Sequence, residues 1–136
     1  MEKLGKILIV GNPLVRDDSV PIRIMPELKK AFPKIEIREI DGVENIEEEG
    51  RDLTIIDSAD GIDKVEIITD LEAIVMQKIY TMHDFDLGIT LRLLKRMGKL
   101  DSALIFAVPR KYPEKKALME LKEKITKNYI VPNKLG

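Results

Sequence analysis

Residues 6–18 read KILIVGNPLVRDD, a short aliphatic run that leads into glycine, asparagine and proline. An apolar run of this length that ends in turn-forming residues is typical of a buried strand followed by a loop. Gly11 at the end of such a strand allows either a plain tight turn or the close approach of a ligand. The stretch lacks the further glycines of a dinucleotide fingerprint and the Gly-Lys-Ser/Thr of a Walker loop. It therefore predicts the first strand of a sheet without indicating a nucleotide site.

Strand and helix patterns alternate along the rest of the chain. Further strands are predicted at 34–40, 53–57, 64–69 and 103–108, and helices at 21–32, 85–97 and 114–129, with one or two helical turns within 43–49. Gly98 is expected to end its helix as a C-cap, and Pro26 must lie in the first turn of its helix or kink it. Strands that alternate with helices form a mostly parallel sheet covered on both faces. We therefore predict one α/β domain over residues 1–136, a three-layer α/β/α fold with a mostly parallel twisted sheet of about five strands, in which strand 64–69 can pair antiparallel at an edge.

The composition argues against several classes of protein. A formal net charge of -1 argues against a strongly basic nucleic-acid surface, and the lack of cysteine excludes disulfides, thiolate metal sites and cysteine nucleophiles. We expect no membrane span, because the longest apolar runs are strand-sized, and no signal peptide, because strand-like sequence begins at Lys6. These features predict a cytoplasmic protein. The charged fraction of 35% and the single glutamine, Gln77, are typical of heat-adapted proteins.

Chemistry-bearing side chains follow three of the predicted elements. Asp17 and Asp18 come after the first strand, Asp57 ends strand 53–57, and His83, the one histidine of the chain, precedes helix 85–97. Because the carboxyl ends of parallel strands share one edge of a sheet, we expect these side chains to converge there. Two carboxylates and an imidazole suit a borderline divalent metal such as nickel or zinc.

Each of these residues also has an ordinary structural interpretation. Asp17 or Asp18 can cap the helix that begins near Pro21 by accepting hydrogen bonds from its first amides. Asp57 can serve only to turn the chain at the end of its strand. A lone histidine such as His83 is more often a core or surface residue than a ligand. The conjunction of the three positions, rather than any one of them, indicates a metal site.

The stretch GNPLVRDD at 11–18 resembles the Gly-Asn-x-Leu-x-x-Asp-Asp/Glu motif of the hydrogenase maturation proteases. These endopeptidases trim the C-terminal extension from the large subunit of nickel-iron hydrogenases. The resemblance continues through LTIID at 53–57, Thr81-Met-His83 and FAVP at 106–109. It implies that Asp18, Asp57 and His83 are both the metal ligands and the catalytic residues. Gly11, Asn12 and Asp17 would support the loop or the substrate tail.

The resemblance also implies a cofactor and a partner. The metal would be nickel carried by the hydrogenase large-subunit precursor, with Zn²⁺ or Cd²⁺ able to substitute in vitro, and no nucleic acid or membrane would be involved. The chain departs from the family pattern at Ile9, where a glycine is usual, and at Ser19-Val20-Pro21 in place of Gly-x-Gly. These departures leave open a non-catalytic paralogue that binds a metal or a partner.

A second alternative is a receiver-like, Mg²⁺-dependent phosphorylation switch that uses Asp17, Asp18 and Asp57. Receivers have an acidic pair after their first strand, an aspartate at the end of the third and a lysine that precedes a proline. In this chain six residues, from Gly11 to Arg16, separate the strand from the acidic pair, and Lys111 follows Pro109. Both departures disfavour this alternative.

Overall fold

The elements alternate along the chain as the sequence predicts. A computed structural model describes residues 5–11, 20–41, 45–70, 80–81 and 84–130. The strands are β1 (Gly5–Gly11), β2 (Ile35–Asp41), β3 (Asp52–Asp60), β4 (Glu66–Ile68), β5 (Tyr80–Thr81) and β6 (Ser102–Pro109). The helices are α1 (Val20–Ala31), α2 (Asp84–Arg96) and α3 (Glu114–Ile125), with a 3-10 turn at Ile46–Glu49 and a π turn at Thr126–Ile130. None of these helices is long and apolar enough to cross a membrane.

The sheet has the order β2-β1-β3-β6-β4, and the short strand β5 pairs with β3 outside this path. The pairs β1–β2, β1–β3 and β3–β6 are parallel. The edge strand β4 runs antiparallel to β6, and β5 runs antiparallel to β3. The predicted mostly parallel sheet with one antiparallel edge strand is therefore confirmed.

Alternating side chains of the central strands form two separate cores. In β1, Leu8 and Val10 belong to one core, whereas Ile7 and Ile9 belong to the other. The core of Leu8 and Val10 is covered by α2, through Leu87, Leu91 and Leu94, and this side of the sheet is called the α2 face. The opposite side, the α1/α3 face, is covered through Ile24, Leu28, Ala117, Leu121 and Ile125. Successive strand residues point to opposite faces, so the continuous aliphatic run of β1 requires helices on both sides. The three-layer prediction is confirmed.

The C-terminal end of α2 fixes its direction across the sheet. Gly98 adopts a positive φ of 74, Lys99 N–H donates to the Leu94 carbonyl at 2.9 Å, and Gly98 N–H donates to the Lys95 carbonyl at 3.1 Å. This is a Schellman termination, and it confirms the C-cap prediction. Arg51, just before β3, pairs with Asp101 at 3.0 Å beside this turn. α2 therefore ends at the amino edge of the sheet and begins at the carboxyl edge.

One expectation about element boundaries is corrected, and one of the two alternatives for Pro26 is excluded. Asp57 does not end its strand: β3 continues to Asp60, because Ala59 pairs with Pro109 of β6 on one side and with Thr81 of β5 on the other. Pro26 lies in the interior of α1 rather than in its first turn. It is exposed, so the helical hydrogen bond that proline cannot make is lost on the solvent side.

Strand β2 forms one edge of the described sheet and carries charge on its exposed side chains. Arg38 pairs with Glu36 at 3.1 Å and also with Glu49 of the 3-10 turn. The Lys6 ammonium hydrogen-bonds Glu49 at 2.8 Å and lowers the pKa of that carboxyl below its ordinary value. The edge is thus tied to β1 and to the 3-10 turn by an ion-pair network.

Tyr129 closes the amino end of β1. Lys6 N–H donates to the Tyr129 hydroxyl at 3.0 Å, and the hydroxyl donates in turn to the Lys6 carbonyl at 3.4 Å. A Cβ atom at Gly5 would lie 2.1 Å from that oxygen and 2.9 Å from the ring carbon that bears it. Gly5 is therefore required by close packing against Tyr129.

Gly5→Ala should lower the free energy of unfolding by about 1–3 kcal/mol, because the tyrosine must move and leave the Lys6 amide unsatisfied. Chemical denaturation of the single variants and of Gly5→Ala/Tyr129→Phe measures the coupling. Removing the hydroxyl removes the closest clash, so the cost of Gly5→Ala should be smaller in the Tyr129→Phe background. Strictly additive effects would contradict this account of the glycine.

Candidate active site at the carboxyl edge of the sheet

Asp57 is a carboxylate within the aliphatic centre of the sheet. Asp57 is 1% exposed. It lies on the same face of β3 as Ile55 and Ala59, which are two residues away on either side and belong to the core on the α2 face. One carboxylate oxygen accepts a hydrogen bond from Ser58 N–H at 2.8 Å. Aspartate is almost never fully buried unless it is specifically partnered. Packing alone therefore does not explain why an aspartate occupies this buried position.

Two small side chains lie beside Asp57 on the α2 face. Ala107 of β6 lies directly opposite it in the parallel ladder, and Ala59 follows two residues along β3. Both alanines are buried. These two neighbours therefore contribute only a methyl group each to the surroundings of the carboxylate.

The end of β1 lies on the same edge of the sheet as Asp57. Leu8 and Ile9 pair with Ile55 and Ile56 of β3, which brings the last residue of β1, Gly11, to the carboxyl edge. The chain is described again from Val20, where α1 begins on the α1/α3 face. The candidate residues Asn12, Asp17 and Asp18 belong to the interval between these two positions and lie outside the described residues.

Strand β5 and helix α2 bracket the third candidate position. Thr81 pairs with Ala59 and Tyr80 with Asp60 in an antiparallel register. The chain at β5 therefore runs along β3 toward the level of Asp57. α2 begins at Asp84 and packs on the α2 face, the face to which Asp57 belongs. His83 lies between these elements, outside the described residues.

Of the three predicted ligands, Asp57 is the one whose side-chain environment the structure describes. Within the described ranges no three histidine, cysteine, aspartate or glutamate side chains gather closely enough to hold a metal ion. Because Asp18 and His83 fall outside those ranges, the predicted convergence of the three residues stays a prediction.

A second polar cluster lies on the other face of the sheet and was not predicted. The Tyr112 hydroxyl donates to Glu120 at 2.8 Å, and Glu120 also accepts from Val65 N–H at 3.0 Å. Burial and the Glu120 carboxylate both raise the pKa of Tyr112. No sequence pattern links residues 65, 112 and 120, so periodicity could not have found the cluster. Its hydrogen bonds hold the segment before β4 against α3, which is a structural role.

The sequence has no match among known protein-family profiles or curated proteins. The fold, however, is similar to that of the hydrogenase maturating endopeptidase HybD from E. coli, with a TM-score of 0.63 and 19% identity over 93% of this chain and 90% of that chain. It is also similar to the hydrogenase 3 maturation protease, with a TM-score of 0.59 and 22% identity over 88% of this chain and 87% of that chain. The chain has the hydrogenase maturation protease fold.

An uncharacterized protein from Wolinella succinogenes has a similar fold, with a TM-score of 0.59 and 13% identity over 96% of this chain and 99% of that chain. The maturation protease fold thus covers most of each compared chain at low sequence identity. In this chain the strand order of the mixed sheet places Asp57 on a central strand near the carboxyl edge.

Proposed function

We propose that this protein is a cytoplasmic endopeptidase that removes the C-terminal extension of a nickel-iron hydrogenase large-subunit precursor after nickel insertion. In this proposal the nickel belongs to the substrate, and Asp18, Asp57 and His83 recognise it. The observation that carries the proposal is the buried Asp57 carboxylate on the central strand of a maturation protease fold. The motif resemblance at residues 11–18 supports it independently.

The register of β5 supports a role for His83 beside Asp57. Thr81 lies opposite Ala59, two residues beyond Asp57 along β3, and β5 runs in the direction of Asp57. Position 83 is two residues beyond Thr81 and one before the start of α2. Consecutive Cα atoms are about 3.8 Å apart, so the chain between Thr81 and Asp84 is short. Both flanking positions are close in sequence to residue 83, which supports assigning His83 to a site at the carboxyl edge.

The last residue of β1 and the first residue of α1 support a role for Asp18 in the same way. The chain leaves β1 at Gly11, beside β3, and re-enters the described structure at Val20. Asp18 stands two residues before Val20, and Asp17 three. The connection that contains both carboxylates therefore starts at the carboxyl edge, where α/β folds bind their ligands, and this supports the proposed role of Asp18.

The chemistry of this donor set fits a substrate-borne nickel ion. Ni²⁺ accepts mixed oxygen and imidazole ligands, and a site with three protein ligands leaves positions for groups of the precursor. Precursor-bound nickel would polarise the scissile carbonyl or lower the pKa of an attacking water. Alternatively, a carboxylate that does not bind the metal, Asp17 or Asp57, would act as the general base. A precursor without nickel would leave the site incomplete, which accounts for specificity.

The sheet disfavours the receiver-like alternative. Receiver domains have the parallel strand order 2-1-3-4-5. Here β6 lies beside β3, and the strand beyond it is the antiparallel β4. The strand order and the direction of the last strand in this sheet therefore differ from those of a receiver domain.

A cleavage assay with purified, nickel-loaded precursor tests the proposal. The wild-type protein should shorten the nickel-loaded precursor and leave the nickel-free precursor intact. Asp18→Asn should lower the cleavage rate by at least about a hundredfold, since even outer-shell partners of a metal ligand cost 10–100-fold. Asp17→Asn is the matched control and should keep metal binding. Loss of binding in Asp17→Asn alone would show that the ligand is the other member of the pair. Metal binding without cleavage would favour the non-catalytic paralogue.

A further inference from the structure

The outer surface of α2 carries a row of exposed apolar side chains. Ile89, Leu93 and Met97 are 52%, 54% and 54% exposed. They are spaced four residues apart, so they share a side of the helix that faces away from the leucines packed on the sheet. Met97 lies one residue past the end of α2 and keeps the helical hydrogen bond from its N–H to the Leu93 carbonyl at 2.9 Å. Singly exposed apolar residues are common, but a contiguous row marks an interaction surface. We call these three residues the α2 stripe.

Positive charge lies along one flank of the α2 stripe. Residues 87–99 contain no aspartate or glutamate but include Arg92, Lys95, Arg96 and Lys99. At about 100° per residue, Arg92, Lys95 and Arg96 fall on the same side of the stripe, and Lys99 follows the turn that ends the helix. Lys95, Arg96 and Lys99 are exposed. The complementary surface would have an apolar centre and an acidic flank.

The charge pattern disfavours a second copy of this chain as the occupant. In a two-fold pair the same patch meets itself. An antiparallel pair of α2 helices, related by an axis across them, would place the two basic flanks side by side, and like charges brought together destabilise an interface. A parallel pair, related by an axis along the helices, would separate the flanks, but residues 87–99 of the other copy offer them no acidic side chain. A different, acidic partner fits the stripe better.

The direction of α2 connects the stripe to the candidate site. α2 begins at the carboxyl edge, directly after position 83, and ends at the amino edge beside Arg51. From Ile89 to Met97 the stripe is about 12 Å long. A protein held on this helix would therefore have part of its surface beside the carboxyl edge, within reach of Asp57.

We infer that the α2 stripe and its basic flank dock the folded body of the precursor, through a precursor surface with an apolar centre and an acidic flank. This inference rests on the proposed function. The stripe is smaller than the roughly 800 Å² that each partner buries in a standard interface, so it forms the central contact rather than the whole interface. Docking on α2 selects the precursor by its folded surface as well as by its nickel and tail.

Calorimetric titration of the nickel-free precursor, which the wild type is expected to leave intact, into wild type and Leu93→Glu tests the inference. Leu93→Glu places a charge in the middle of the stripe and should raise the Kd by about tenfold or more. Met119→Glu is the matched control: Met119 is 61% exposed on α3, in the opposite helix layer, and the change should move the Kd less than about twofold. Lys95→Glu should weaken binding most at low salt, because it reverses a charge of the flank. Equal Kd values for wild type and Leu93→Glu would overturn the inference.

Parallel measurements separate this inference from the proposed function. Precursor whose binding to wild type is weakened by Leu93→Glu, but which is never cleaved even when nickel-loaded, would support docking and refute the peptidase activity. Cleavage with an unchanged Kd in Leu93→Glu would do the reverse. Failure of wild type to bind the precursor would overturn the docking inference. Wild-type dimers that Leu93→Glu dissociates would identify a second copy as the occupant and overturn it too. A melting temperature lowered in Leu93→Glu but not in Met119→Glu would show that the chain's own packing uses the stripe, with the same consequence.

Discussion

Replacing Asp57 by asparagine should reduce cleavage of the nickel-loaded precursor by at least about a hundredfold, the scale set by the 10–100-fold cost of losing even an outer-shell partner. Asparagine keeps the size of the side chain and can still accept the Ser58 N–H bond of 2.8 Å. It removes the negative charge that a divalent cation needs. The measurement is the initial cleavage rate, with metal affinity determined by calorimetry on the same sample.

Asp60→Asn is the matched control for this experiment. Asp60 lies on the same strand, three residues beyond Asp57, but its side chain is 52% exposed and pairs with Arg110 at 3.7 Å. We expect its cleavage rate to stay within about twofold of wild type, because surface substitutions of this kind are nearly neutral. Wild-type activity in Asp57→Asn would remove Asp57 from the site. Thermal melts must accompany the assay, because burial makes Asp57 a stability determinant as well.

Replacing His83 by alanine should abolish measurable Ni²⁺ or Zn²⁺ binding and, with it, cleavage. In the wild type, affinity should fall by up to about tenfold per pH unit once the pH drops below the histidine pKa, near 6.5 for an unperturbed side chain. Only the neutral imidazole coordinates a metal, so protons compete with the ion on the acid side. Affinity should level off above that pKa. Calorimetry between pH 5 and 8 measures the dependence.

The control is His83→Gln, which keeps a side-chain donor atom that does not titrate in this range. Any residual affinity in this variant should be nearly independent of pH. A flat profile in the wild type would exclude His83 from coordination, because protonation of a coordinating imidazole must lower the metal affinity. Affinity retained in His83→Ala would lead to the same conclusion.

The order and type of the elements could be predicted because they follow from local patterns. The aliphatic run of β1, the helical spacing in α2 and the glycine that terminates α2 each act within a few residues of sequence. The length of β3 depends instead on pairing between residues 59–60 and 80–81, which lie far apart in the chain. No local pattern reports that pairing, so Asp57 was expected at a strand end although it lies within a strand.

Burial of Asp57 could not be predicted for the same reason. The sequence around it, Asp57-Ser-Ala-Asp60, looks like a polar turn after an apolar strand. In the fold, β6 pairs along one side of this segment and β5 pairs at its end, which draws the carboxylate into the core. The types of the candidate ligands were readable from the sequence, whereas the environment of Asp57 required the tertiary structure.

The charged edge of the sheet at β2 has a consequence for strand addition by other chains. A protein whose proposed substrate ends in an extended tail meets chain segments that can add to any open strand. In the described sheet, β2 carries Glu36 and Arg38 on its exposed side, and Arg38 is engaged by Glu49. Charged side chains on an edge strand discourage both strand addition and the growth of aggregates. In the proposed function, the ion pairs of β2 would disfavour capture of the precursor tail along this side of the sheet and so favour its access to the carboxyl edge.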